Sequence, residues 1–138
     1  MIGIILIAHA HIARETKVAV EHILGAQNAF EAVDIPNSDA SKAEQRNFDT
    51  LIAKLDQGQG VLVMVDLFGA TPCNIVSGAE ENRMLEVVAG FNVPAVIKAI
   101  TLRQKHISLK ELAKASIASG QQYMCLGSDI KHAGLSRP

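Results

Sequence analysis

The sequence predicts an α/β fold, a three-layer sandwich in which a mainly parallel sheet lies between two layers of helices. Two observations support this fold class. Short apolar runs alternate with longer amphipathic stretches along the whole chain, and the clearest runs are apolar at consecutive positions. Consecutive apolar residues are typical of strands that are buried on both faces, as parallel strands are. The chain has 138 residues and a hydrophobic content of 49%, so we expect residues 1–138 to form a single domain.

The beginning of the chain predicts a strand, a helix and a second strand. Ile2–Ala8 is apolar throughout, and it lacks the basic flank of a signal peptide and the ~20 residues of a membrane span. A helix is predicted from about Ile12 to Leu24, where Gly25 provides a typical C-terminal stop. The next strand covers Phe30–Ile35. The chain therefore opens as a strand–helix–strand unit.

A second helix and a third strand are predicted from capping and periodicity. Ser41–Glu44 has the form of a capping box. The apolar positions i, i+3, i+4 and i+7 of the following helix are Phe48, Leu51, Ile52 and Leu55. Gly58 ends this helix, and Val61–Asp66 is the third strand. This strand is apolar up to its last residue, which is a carboxylate.

The second half repeats the alternation of strands and helices. Leu67–Thr71 is a glycine-containing loop, with Thr71 as the predicted N-cap and Pro72 as the first residue of a helix. Leu85–Ala89 is the fourth strand, and Pro94 opens the helix that follows it. The sequence therefore predicts four strands that alternate with helices.

The C-terminal part predicts one more helix and a short strand. Ser108–Glu111 forms a second capping box, and Gly120 is interpreted as the stop of the helix. Gln122–Leu126 then reads as a short terminal strand. This edge strand is the last element that the pattern predicts.

Charge and cysteine usage exclude several classes of function. A net charge of -1 and a pI near 6.5 give no electrostatic basis for nucleic acid or an anionic membrane as partner. Cys73 and Cys125 lack the spacing of a metal or redox motif. We interpret both as reduced core residues, which favours the cytoplasm.

His9 and Asp66 are the candidate catalytic residues because each ends a predicted strand. Ligands of open parallel sheets bind beyond the carboxyl ends of the strands. If the first and third strands are neighbours, their axes lie about 4.8 Å apart, which brings the two side chains within hydrogen-bonding reach. A carboxylate that accepts from Nδ1–H leaves the Nε2 lone pair outward as a nucleophile toward phosphorus. The alternative is that both are ordinary polar strand ends.

A phosphate-binding loop is predicted directly after Asp66. The backbone N–H groups of Gly69, Ala70 and Thr71 stand at the expected start of a helix, where N–H groups and the helix dipole favour anions. The Thr71 hydroxyl could add a further donor. A serine hydrolase is disfavoured because the chain has no Gly-x-Ser-x-Gly motif.

The remaining histidines are interpreted as bystanders. His11 could be a second acceptor or a metal ligand, but two histidines at i and i+2 make a weak zinc site. His22, His106 and His132 are expected at the surface. Cys73 could have a lowered thiol pKa at a helix N-terminus, but packing in the core is the preferred interpretation.

Three ordered motifs resemble the IIA domain of the mannose-type bacterial sugar phosphotransferase system. They are Ile7-Ala8-His9, Gly60–Asp66 followed by Gly69–Asn74, and Val88–Pro94. The resemblance implies a parallel sheet of order 2-1-3-4. It also implies a homodimer in which a C-terminal strand is exchanged and added antiparallel at the sheet edge.

The resemblance also implies a chemistry and its partners. His9 would accept a phosphoryl group from the phosphocarrier protein HPr, with Asp66 as hydrogen-bonding partner, and would pass it to a IIB component. No metal or organic cofactor is expected, because the donor is already an activated phosphohistidine. A phosphotransfer subunit of a dihydroxyacetone kinase and a purely regulatory phosphorylation sensor are the alternatives.

The sequence departs from the family pattern in two places. Members often carry Gly after the active histidine, whereas Ala10 and His11 follow His9. This puts partner preference in doubt. Many relatives continue into a IIB domain, whereas this sequence ends at Pro138, so a separate IIB protein is expected if the role is transport.

Overall fold

Four parallel strands form the centre of the structure, a computed structural model that describes residues 1–35, 42–69 and 84–130. The strands are β1 (Gly3–His9), β2 (Phe30–Ile35), β3 (Val61–Val65) and β4 (Leu85–Ala89). Their order in the sheet is β2-β1-β3-β4, and all three pairings are parallel. The predicted α/β class and the order 2-1-3-4 are confirmed.

Helices cover both faces of this sheet. The described helices are α1 (Ile12–Leu24), α2 (Lys42–Leu55), α3 (Val93–Leu102) and α4 (Leu109–Tyr123), followed by a 3₁₀ turn at Gly127–Asp129. Helices α1, α3 and α4 pack on one face in a core that includes Leu6 and Met64. Helix α2 packs on the other face, where the core includes Ile5 and Val63. Successive residues of β1 thus enter opposite cores, which explains its uninterrupted apolar run.

Two predicted helix starts are confirmed by their caps. The Oδ1 atom of Asn92 accepts a hydrogen bond from the backbone N–H of Ala95 at 3.0 Å, with Pro94 in the first turn of α3. Ser108 and Glu111 form the predicted capping box at the start of α4. The caps predicted at Ser41 and Thr71, with Pro72, lie outside the described residues.

The predicted helix stop at Gly120 is wrong. Helix α4 continues to Tyr123, and a Cβ atom on Gly120 would lie 2.9 Å from Oδ1 of Asn92 and 3.0 Å from Cβ of Ala95. The Nδ2 group of Asn92 donates to the Gly120 carbonyl oxygen at 2.9 Å. Gly120 is therefore a site of close approach between α4 and the start of α3.

The C-terminal strand predicted at Gln122–Leu126 does not form within the described chain. Gln122 belongs to α4, and the backbone of Met124 and Leu126 is extended but pairs with no described strand. Strand exchange between two chains stays a prediction. Cys125 is exposed, which corrects its interpretation as a core residue, while Cys73 lies outside the described residues.

Arg103 joins the end of α3 to the N-terminal ends of β1 and β2. Its residue surface is 4% exposed, and Nη1 donates to the carbonyl oxygens of Ile2 and Ala29, each at 3.0 Å. The Nη2 group donates to the carbonyl oxygen of Asn28. One guanidinium thus satisfies backbone acceptors from two segments that are distant in sequence.

We predict that Arg103→Met lowers the free energy of unfolding by about 3 kcal/mol, because hydrogen bonds from a charged group are lost and carbonyl oxygens stay buried without that donor. Urea denaturation at pH 7 measures the change. Lys105→Met is the matched control, because Lys105 is exposed in the same segment. Equal stabilities of the two variants would contradict this role of Arg103.

Candidate active site

The parallel pairing of β1 and β3 brings His9 and Asp66 to the same edge of the sheet. Ile7 is paired with Val65, so each strand ends within two residues of this pair. His9 is the last residue of β1, and Asp66 directly follows β3. Parallel strands end on the same side, which places both side chains beyond the carboxyl edge.

The carboxylate of Asp66 contacts both the backbone and the ring of His9. Its Oδ2 atom accepts a hydrogen bond from the backbone N–H of His9 at 3.0 Å and lies 2.8 Å from Nδ1 of the ring. Its Oδ1 atom accepts from the backbone N–H of Leu67 at 2.9 Å. The contact predicted from the two strand ends is therefore present.

The surroundings keep the Asp66 carboxyl group ionised. Burial raises the pKa of Asp66, but hydrogen bonds from the His9 backbone, the His9 ring and the Leu67 backbone lower it, and the net pKa lies below the ordinary value. An ionised carboxylate only accepts hydrogen bonds. The Nδ1 atom of His9 must therefore carry the proton, and Nε2 of the neutral ring has a free lone pair.

The two side chains differ in their access to solvent. The side chain of His9 is 46% exposed, whereas that of Asp66 is 11% exposed. The carboxylate is thus shielded while the ring is open to an approaching molecule. This arrangement fits a ring that reacts with another protein and a carboxylate that orients the ring.

Ala10 holds the turn after His9 in an unusual backbone conformation. Its φ angle is 50°, which lies in the left-handed region that glycine adopts most readily. This is the position at which the resembled family often carries Gly. The turn therefore keeps the glycine-like geometry although the side chain is a methyl group.

A second histidine–carboxylate contact lies beside the first, and sequence reasoning missed its carboxylate. The Nδ1 atom of His11 is 3.0 Å from Oδ2 of Asp34. Asp34 stands one residue before the end of β2 and is paired with Ala8 of β1. The available signal was an aspartate near the carboxyl end of a strand that neighbours the strand of His9.

Arg14 also approaches this second carboxylate. The backbone N–H of Arg14 donates to Oδ1 of Asp34 at 3.2 Å, and its Nε atom lies 3.8 Å from Oδ2. Burial raises the pKa of Asp34, but the His11 ring and the Arg14 backbone and charge lower it, with a net pKa below the ordinary value. Asp34 is thus also an ionised acceptor.

The other candidate residues are less informative. Gly69 is half-buried after β3, while Ala70, Thr71 and His132 lie outside the described residues. His22 and His106 are exposed, as expected. Residues 1–35, 42–69 and 84–130 contain no group of three His, Cys, Asp or Glu side chains that could hold a metal ion. No helix in these ranges is long and apolar enough to cross a membrane.

Comparisons with known proteins connect this geometry to a family. The family model described as "PTS system fructose IIA component" matches residues 3–117. The fructose-specific EIIA component of the phosphotransferase system (PTS) of Bacillus subtilis is 30% identical over 124 residues, which cover 88% of this chain and 84% of the relative. The mannose-specific EIIAB component of Escherichia coli is 27% identical over 122 residues, and the match spans 88% of this chain but only 38% of that relative.

Solved structures agree with the sequence matches. The mannose/sorbose-specific IIA subunit of Enterococcus faecalis is 28% identical, with a TM-score of 0.73 over 91% of this chain and 93% of the other. The EIIA component of Streptococcus agalactiae has a TM-score of 0.77 at 21% identity, over 93% and 98% of the two chains. At 21% identity, the match to the Streptococcus agalactiae protein shows only that the fold is shared.

We predict that Asp66→Asn lowers the free energy of unfolding at pH 7 by about 1–3 kcal/mol, because charge-assisted hydrogen bonds weaken. The folded-state pKa of Asp66 is depressed, so its stabilisation is present above the unfolded pKa of about 3.9 and is lost as the pH falls through the folded value. Urea denaturation from pH 7 to pH 2.5 measures the difference.

The matched control is Asp129→Asn, since Asp129 is an exposed carboxylate in the 3₁₀ turn. We expect little change for this variant at any pH. A destabilisation by Asp66→Asn that stays constant down to pH 2.5 would contradict the assignment of an ionised Asp66.

Proposed function

The chain belongs to the family of fructose-type PTS IIA components, and on that premise we propose that His9 accepts a phosphoryl group from phospho-HPr and passes it to a IIB component. PTS IIA components are phosphotransferase components. The observation that carries the proposal is the contact of Asp66 with Nδ1 of His9, at 2.8 Å, on a ring that is open to solvent. This contact directs the Nε2 lone pair outward.

The transfer exchanges one nitrogen–phosphorus bond for another. The Nε2 lone pair of His9 attacks the phosphorus atom of the donor phosphohistidine, and the bond to the donor ring breaks. A donor ring that is protonated on its second nitrogen leaves as neutral imidazole. The phosphorylated His9 ring then carries positive charge, which the Asp66 carboxylate stabilises. The same steps in reverse direction release the group to the next protein.

The loop after Asp66 completes the proposed site. We assign the phosphoryl oxygens to the backbone N–H groups of Gly69, Ala70 and Thr71, and to the Thr71 hydroxyl. The support is the sequence Gly-Ala-Thr-Pro, which is typical of a helix start, directly after the carboxylate. These donors would lower the barrier by binding the charge that develops on the transferring group.

The acceptor is proposed from the relatives that the chain resembles. These include a mannose-specific EIIAB component and fructose- and sorbose-specific EIIA components. A IIB protein of the same transport family is therefore the proposed acceptor, in the cytoplasm. To test which acceptor is used, the phosphorylated protein is offered either a IIB protein or the nucleotide-binding subunit of a dihydroxyacetone kinase. Transfer to neither would favour a regulatory sensor.

A homodimer with exchanged C-terminal arms is part of the proposal. Exposed apolar side chains cluster at the end of the described chain, with Met124 at 78%, Leu126 at 70% and Ile130 at 46% exposure. Strand β4 has one neighbour in the described sheet and thus one unpaired edge. Such an edge accepts an added strand readily.

We predict that the wild-type protein gains one rapidly added phosphoryl group when it is incubated with phosphoenolpyruvate, enzyme I and HPr. His9→Ala should reduce the initial rate about 100-fold or more, because the oriented nucleophile is lost. Intact-protein mass spectrometry measures the rate, and lability in acid with stability in base identifies phosphohistidine. His22→Ala, an exposed histidine of α1, is the control. An unchanged rate in His9→Ala would overturn the assignment.

We also predict that Asp66→Asn stays folded at 20 °C but accepts the phosphoryl group about 100-fold more slowly or worse, because an amide no longer fixes the tautomer of His9. Rapid-quench kinetics with phospho-HPr measures the rate. Nitrogen-15 NMR of the imidazole should show the Nδ1–H tautomer in the wild type and a mixture in the variant. Wild-type transfer by Asp66→Asn would refute the orienting role.

A further inference from the structure

The end of β1 carries two imidazole–carboxylate pairs rather than one. His9 pairs with Asp66 on the side of β3, and His11 pairs with Asp34 on the side of β2. In both pairs one carboxylate oxygen contacts Nδ1 of the ring, while the other accepts from a backbone N–H. The two pairs therefore share the arrangement that frees Nε2 as a nucleophile.

From this duplication we propose that His11 is a second phosphoryl acceptor, which takes the group from a phosphohistidine donor at Nε2 while Asp34 holds Nδ1. The proposal rests on the proposed function of His9, because it requires the same class of donor. It assigns a covalent role to His11 instead of the bystander role that the sequence indicated.

The position of His11 allows a donor docked at His9 to reach it. The residues are two apart in the chain, so their Cα atoms are at most about 7 Å apart. The side chain of His11 is 68% exposed, against 46% for His9. Both rings are therefore exposed on one short segment, where a docked phosphohistidine donor can meet either of them.

The geometry around Asp34 favours the reactive tautomer of His11. Asp34 accepts from the Arg14 backbone at 3.2 Å and has the Arg14 Nε atom at 3.8 Å from its second oxygen. These contacts hold the carboxylate ionised and in place beside Nδ1. A carboxylate that only served to begin α1 would not need a ring nitrogen as partner, since it already accepts from the Arg14 backbone.

The proposed transfer to His11 follows the same steps as the transfer to His9. The Nε2 lone pair of His11 forms the new bond to phosphorus, and the bond to the donor nitrogen breaks. The donor ring, protonated on its second nitrogen, leaves as neutral imidazole. The positive charge on the phosphorylated His11 ring is stabilised by Asp34. The added negative charge would alter the face that partners meet.

His11 should be the slower acceptor. His11 is more exposed than His9. The proposed phosphate-binding loop follows β3 and Asp66, which pairs with His9, and not β2, which carries the partner of His11. We expect His9→Ala to be labelled about 100-fold more slowly than the wild type, which corresponds to the loss of one set of oxyanion donors. With excess phosphoenolpyruvate, enzyme I and HPr, this labelling should still approach one phosphoryl group per chain.

The test compares variants in the His9→Ala background. His9→Ala/His11→Ala should show no labelling, and His9→Ala/Asp34→Asn should be labelled about 10-fold more slowly than His9→Ala or worse, because the orienting partner is lost. His9→Ala/His22→Ala is the matched control and should behave as His9→Ala does. Fragmentation that retains the phosphoryl group should locate it on His11. Circular dichroism and urea midpoints verify that each variant is folded.

The outcomes separate the two proposals. Rapid labelling of the wild type with no labelling of His9→Ala overturns the second acceptor and leaves the function of His9 intact. Labelling of His9→Ala that persists without His11, or that maps to another residue, also overturns it. A wild type that accepts no phosphoryl group at all overturns both proposals.

Discussion

The parallel pairing of β1 with β3, in the middle of a sheet that is covered on both faces, is the constraint on which the site depends. The side chains of Ile4, Ile5, Leu6 and Ile7 are 0% exposed, and the register that pairs Ile7 with Val65 follows from burying them. A slip by one residue would turn every apolar side chain of a strand to the opposite core. The cores therefore fix the distance between His9 and Asp66, although neither residue belongs to them.

Much of this arrangement could be predicted from the sequence because it depends on local signals. Strand β4 was predicted with its observed limits, and β1 to within one residue at each end, since flanking loops delimit short apolar runs. His9 and Asp66 were found because each ends such a run. The role of Asp34 was missed because this aspartate lies within β2 rather than directly after it, although the order 2-1-3-4 already placed β2 beside the strand of His9.

The wrong predictions for the C-terminal part of the chain have physical reasons. Gly120 was interpreted as a helix stop because glycine is common there, but in this fold its missing side chain lets α4 approach Asn92. Helix α4 therefore extends into the region that was predicted to be a strand, and Cys125 follows it at the surface. At Gly120, packing between α4 and the start of α3 outweighed the local preference of the sequence. Packing of this kind cannot be predicted without knowing where the neighbouring elements lie.

The buried guanidinium of Arg103 has a consequence for synthesis of the chain. It donates to the carbonyl oxygen of Ile2 across 101 residues of sequence. During synthesis, the Ile2 carbonyl oxygen beside β1 therefore lacks this donor until α3 and Arg103 have been made. Strand β1 is one of the two central strands of the described sheet, and its neighbour β3 is made only after β2 and α2. In the nascent chain, β1 therefore exposes apolar side chains until β3 has been made, and it needs protection from other hydrophobic surfaces during that time.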